Sequence, residues 1–231
     1  MNFFDSLIDD VLSQTESSDR ASYPYNASLC RKDTGYSQVI MQRDTAYELS
    51  GTGMSLVTSA DINDEIIVVG DDLDKISDNR KFARISIVQT DDIPDEQNAY
   101  KLIRKIEYVK YHYFPDGFMI RTSSSSHKEA VRVAKTSVKE GISFKEIGNL
   151  LIKKYKEIDE VRGVKVIFVT VPDADYDSFS QIAQKADSIT KTLNHIMNTV
   201  NFDCDTCNLK PICDEVEGMR ELHFRSKERN M

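Results

Sequence analysis

Three of the four cysteines in this 231-residue sequence, Cys204, Cys207 and Cys213, fall in the pattern C-x2-C-x5-C, and His223 follows shortly after. Two thiolates three positions apart can hold one metal centre from a single turn, and Pro211 helps fold the third back toward them. Thiolates are soft ligands that select zinc, copper(I) or iron–sulfur clusters. A closed zinc site and a [4Fe–4S] cluster each need four ligands, so this set is one short. Cys30, His223 and a residue of a partner protein are the candidates for the fourth. The bland alternative is a group of reduced, unligated thiols with His223 on a helix surface. Such clustering does not resemble a secreted disulfide scaffold, and in a reducing compartment it reads as metal binding or redox chemistry.

Other reactive constellations are thin. Nucleophilic catalysis needs a serine or cysteine within reach of a histidine and its orienting acid. His112, His127, His195 and His223 sit in four different segments. His112, inside Tyr111-His112-Tyr113-Phe114, reads as packing. The short GTG at 51–53 has no following lysine and is no phosphate loop. The acidic stretch GDDLDKISDNR lacks the central glycine and terminal glutamate of a calcium loop and reads as a turn.

The net charge of −8 and pI of about 5.1 argue against a general nucleic-acid binder, which would carry a basic stripe. Lys101, Arg104 and Lys105, and again Lys153, Lys154 and Lys156, are spaced as solvated helix faces. No apolar run is long enough for a membrane span. The acidic start MNFFDSLIDDVLSQTESSD does not read as a secretory signal. A cytoplasmic protein, with neither nucleic acid nor membrane as partner, is expected.

The cysteines must be positioned by what precedes them. Residues 3–13 place Phe3, Phe4, Leu7, Ile8, Val11 and Leu12 on one helical face, and a polar loop, TESSDRASYPYNAS, follows. SQVIMQ (37–42), EIIVVG (65–70), an alternating FARISIVQ (82–89) and GVKVIFVTV (163–171) read as strands. The last is apolar on both faces and so buried between layers. Helical periodicity runs through 94–113, with Pro94 in the first turn. Ser126-His127-Lys128-Glu129 and Ser143-Phe144-Lys145-Glu146 are capping-box patterns, predicting helices to Gly141 and to about Glu157. A long helix over about 175–198 leads directly into the cysteines. The expected fold class is α/β (mixed α+β): a mixed sheet packed with helices, then a C-terminal cysteine-rich metal-binding turn. Three regions follow: 1–36, an N-terminal helix and linker; 37–200, the α/β domain; and 201–231, the cysteine-rich segment.

Several blocks, in order, carry a resemblance: MQRDTAYELS (41–50), INDEIIVVGDDLDKI (62–76), LIRKIEYV (102–109), RVAKTSVKEGISFKEIGNLLIKKYKEI (132–158) and VKVIFVT (164–170). They are similar to the middle domain of the acetyl-CoA synthase (beta) subunit of the CO dehydrogenase/acetyl-CoA synthase complex, and to the segment leading into its metal cluster. The resemblance implies a [4Fe–4S] cluster, with Cys204 and Cys207 matching its first two ligands and Cys213 a third after shortening one gap. It further implies anaerobic one-carbon or acyl-CoA metabolism and a protein partner or complex. The family's nickel-bearing Cys-Gly-Cys is absent from these 231 residues. The expected role is therefore an accessory or electron-transfer component rather than the carbon–carbon bond-forming catalyst. A zinc-stabilised interaction module and a coenzyme A or acyl-CoA binding enzyme are the alternatives.

The family's middle domain is also associated with coenzyme A through basic residues and a tryptophan-containing loop. This sequence has no tryptophan, and the matching stretch is DGFMIRTSSSSHKE (116–129), with Met119 nearest the tryptophan position. Free amides at a helix start, the hydroxyls of Ser124, Ser125 and Ser126, and Arg121 and His127 could together hold a phosphate or carboxylate. The competing reading is a capping serine after an ordinary loop.

Overall fold

The computed structural model describes residues 3–16, 19–36, 44–91, 96–123, 128–198 and 209–215. Its architecture is organised around the β-branched run identified in the sequence. Val161–Val169 (β7) lies between Glu65–Val69 (β3), which it meets in parallel, and Arg80–Thr90 (β4), which runs antiparallel to it. Ala46–Thr58 (β2) is parallel to β4, and its first half pairs antiparallel with Lys128–Ala134 (β6). Phe118–Ser123 (β5) and Arg20–Pro24 (β1) form the two edges. The seven-stranded sheet has the order β1-β3-β7-β4-β2-β6-β5. A mixed sheet with helices is thus present, whereas the expected C-terminal turn lies mostly outside the described residues.

Strand register assigns the faces. Ile66, Val166, Ser86 and Ser55 form one cross-strand row, covered by Phe144–Tyr155 (α4). Gly148 lets this helix approach, since a Cβ there would lie 2.6 Å from Ile66. Phe82, Phe144 and Phe168 stack on this side, with the last two ring centroids 4.5 Å apart. The opposite face, with Met54, Leu56, Ile85, Ile87, Ile67 and Val69, meets Tyr176–Asn198 (α5) and Asp5–Gln14 (α1). Both faces of β4 are consequently buried from Phe82 to Val88. Glu96–Val109 (α2) reaches β2, α4 and α5, while Lys135–Lys139 (α3) follows β6 and Lys210–Glu215 (α6) packs on α5.

The predicted helices at residues 3–13, 94–113, 144–157 and 175–198 are present where described, and so are the strands at 65–70, 82–89 and 163–171. Other expectations are corrected. No helix runs from Ser126 to Gly141, because Lys128–Ala134 is a strand and only Lys135–Lys139 is helical. KEAVRVA alternates exposed or half-buried residues with buried ones, and it has pairing partners on both sides. That tertiary context overrides a local S-x-x-E match. The polar loop expected after residue 14 contains β1, an edge strand whose last residue is Pro24, a position that tolerates a missing N–H. β2 was not anticipated, since its glycines, Gly51 and Gly53, dilute the strand signal. The strand expected at 37–42, and Pro94, lie outside the described residues.

Candidate functional site

The chain brings few of the sequence-predicted residues into the described structure. Cys204, Cys207, His223 and Ser124–His127 lie outside the described residues. Cys213 falls in α6, with its side chain likewise not described. α6 folds back on α5, with Lys185 and Glu215 paired at 2.5 Å. Cys30 is a free, half-buried thiol just after the 3-10 turn Ala27–Leu29, which packs on α4. Burial pushes its pKa up, against the pull of Lys153. Among the described residues no three histidine, cysteine or acidic side chains gather as a metal site, so none of them offers Cys30 a ligand set. The donor chemistry of the three C-terminal thiols fits a soft metal.

Arg121 is exposed on β5. The pairing of β5 with β6 changes the anion-binding expectation, because Lys128–Ala134 is a strand and not the helix whose free amides were expected. Pairing supplies something else. Lys81, Ser50, Ala130 and Arg121 form one row across β4, β2, β6 and β5, and Lys128 shares their face two residues further along β6. Three strand spacings put Lys81 and Arg121 about 14 Å apart at their backbones. α5 covers β2 and β4 and leaves a cleft of about 540 Å3 at its first turns, lined also by Thr52, Tyr176, Asp177 and Ser180. The Lys81 ammonium sits 5.6 Å from the centre of the Tyr176 ring. Burial pushes the Tyr176 phenol up to about 12, so it stays protonated.

Among the described residues, Lys81, Arg121 and Lys128 have no carboxylate within ion-pair distance. Of the other cations noted in the sequence, Arg104 pairs with Glu107 at 2.6 Å and Arg132 with Glu48 at 3.1 Å. Neither Lys81 nor Lys128 was legible as a site residue. Only the register brings them beside Arg121.

Directly beneath, on the α4 face, is a buried polar centre that the sequence did not reveal. Arg84 grips Glu129 with two hydrogen bonds, Nε–Oε1 at 2.8 Å and Nη2–Oε2 at 2.6 Å, both side chains being almost wholly inaccessible. Burial alone would lower the Arg84 pKa, but the adjacent carboxylate more than reverses this and holds it charged. Gly53 makes room for that carboxylate, since a Cβ there would sit 1.9 Å from Glu129 Oε2. Lys110, just past α2, donates to the Gly53 carbonyl at 2.8 Å. Tyr155 and Ser55 share a hydrogen bond of 2.9 Å, while Arg84 Nη1, Ser86 Oγ and Tyr113 Oη are buried without a partner.

No helix among the described residues is long and apolar enough to cross a membrane. No curated protein matches the chain in sequence. A family model, described as the CO dehydrogenase/acetyl-CoA synthase complex beta subunit, matches residues 20–174, from the first residue of β1 to just before α5. The match spans more than half of the chain and every strand of the sheet, and this chain therefore belongs to the CO dehydrogenase/acetyl-CoA synthase complex beta subunit family.

Proposed function

We propose that this protein is a cytoplasmic accessory or electron-transfer component of a one-carbon or acyl-CoA system, working with a protein partner. In this reading it carries an iron–sulfur cluster on Cys204, Cys207 and Cys213 and does not itself form the carbon–carbon bond. The observation that carries the reading is the family domain followed by C-x2-C-x5-C, with no Cys-Gly-Cys in the 231 residues. The three thiolates would hold the metal, and a bound cluster would supply one-electron chemistry. Cys30, His223 or a partner residue would complete the set. Purification without oxygen, with iron, sulfide and zinc measured beside the visible spectrum, tests it. Iron and sulfide that fall in Cys204→Ser and Cys207→Ser variants are expected. Stoichiometric zinc without visible absorbance would favour the zinc-stabilised interaction module instead. A metal-free, colourless protein after attempted reconstitution would end the metal reading.

A specific observation favours a second role, coenzyme A or acyl-CoA binding. Lys81, Arg121 and Lys128, three cations without acceptors among the described residues, face one cleft, and His127 with Ser124–Ser126 belongs to the loop between their strands. Phosphate groups are a natural partner for such a set. Calorimetry with coenzyme A should give binding that weakens at least roughly tenfold in Lys81→Glu/Arg121→Glu, a loss of about 1.4 kcal/mol. Absence of heat and of thermal shift at millimolar ligand would remove this role and leave the metal reading intact.

A further inference from the structure

β2 outlasts β6. Their last pair is Thr52 with Lys128, and beyond it β2 continues through Gly53, Met54 and Ser55 beside α2 rather than another strand. A cleft of about 150 Å3, room for about five water-sized groups, opens there between α2, β2 and α5. Its walls combine apolar side chains, Met54, Ala183 and Ala186, with Lys110, Tyr111 and Glu107. The Lys110 amine makes one hydrogen bond among the described residues, to the Gly53 carbonyl, and lies 4.8 Å from the centre of the Tyr111 ring.

The charges around this amine come from every packed element: Glu129 on β6, Arg84 on β4, Glu107 on α2 and Asp187 on α5. Burial is the largest influence and lowers the Lys110 pKa to about 8, with Arg84 adding to it and the three acids opposing. A proton donor stands beside it, the Tyr111 phenol, pushed up to about 12 by burial. Burial also raises the Glu107 carboxyl, which pairs with Arg104 at 2.6 Å.

We propose that Lys110 is a carbonyl-binding amine that forms a Schiff base with a small aldehyde admitted to this cleft. The amine lone pair attacks the carbonyl carbon, a C–N bond forms as the C=O π bond breaks, and the carbonyl oxygen takes a proton from Tyr111 or solvent. The nitrogen then sheds a proton while the hydroxyl leaves as water, giving C=N; no oxidant or reductant is needed. This inference stands apart from the metal and coenzyme A readings, since it uses none of their residues.

The full-length protein is incubated with acetaldehyde and cyanoborohydride near neutral pH, and peptide mass mapping gives the rate at each lysine. Lys110 should be alkylated at least roughly tenfold faster than Lys101 and Lys105 on the exposed face of α2, as the larger free-amine fraction dictates. A pyrene aldehyde, whose fused-ring system far exceeds the cleft of about 150 Å3, should lose that preference. A lysine serving only to hold the Gly53 carbonyl would react more slowly than its exposed neighbours. That result overturns the proposal, as does equal preference with the pyrene aldehyde. Lys110→Arg should abolish the fast site and leave the Lys101 and Lys105 rates unchanged. Should that variant fail to fold, the two rate comparisons on the unaltered protein decide alone.

Discussion

Arg84 has exchanged its hydration for one carboxylate, and the terms of that exchange are set by residues around it. Glu129 satisfies two of its nitrogens, and Gly53 vacates the space in which the carboxylate sits. Removing one partner of a buried pair leaves an uncompensated charge, which costs more than the pair contributes. Glu129→Gln should therefore destabilise the protein by about 3–5 kcal/mol in urea unfolding. A loss below about 1 kcal/mol would mean that other groups or water solvate Arg84 adequately. None of this was legible in the sequence, where Arg84 and Ser86 looked like the outward half of an alternating strand. Alternation marks a half-exposed strand only when one face meets water, and here α4 lies on one face and α5 with α1 on the other. The thiols, by contrast, were legible because their chemistry depends on local spacing.

Among the elements, α4 shows what local sequence can specify. Ser143 Oγ accepts from the Glu146 N–H at 3.3 Å, and Glu146 reaches back to the Ser143 N–H. Asp72, from the acidic turn after β3, accepts the Phe144 N–H at 2.6 Å. With this second cap in place, Ser143→Ala should cost about 1 kcal/mol, read as a lowered midpoint with an unchanged urea slope. A larger loss with an altered slope would show that α4 and its sheet contacts depend on Ser143 alone. The same motif written at Ser126–Glu129 produces no helix from Lys128 onward, because that stretch is gripped between β2 and β5. The two stretches carry the same short pattern and differ in their neighbours. Propensity decides an element only where tertiary pairing is indifferent to it.

At the scale of the whole molecule, acidity and cation placement belong together. The net charge is −8, yet Lys81, Arg121 and Lys128 converge on one cleft without acidic partners among the described residues. The surrounding negative field would repel a polyanion at a distance and leave these cations to capture it locally. Coenzyme A binding there should accordingly weaken several-fold as salt rises from about 50 to about 200 mM, as the Debye length shortens. A salt-independent affinity would point to apolar contacts elsewhere. The sequence could place Arg121 near a loop but not Lys81 beside it, because residues forty positions apart meet only through register.

The family likeness ends at residue 174, but the cover of the sheet does not. Met54, Leu56, Ile85 and Ile87, on β2 and β4, rely on α1 and α5, both beyond the matched span. A fragment trimmed to the shared segment would bare an oily slab, and its fate in water would be clumping rather than folding. The portion matched to the family and the smallest self-sufficient portion of this polypeptide are different lengths. Any transplant of the domain into another host chain has to carry α1 and α5 with it.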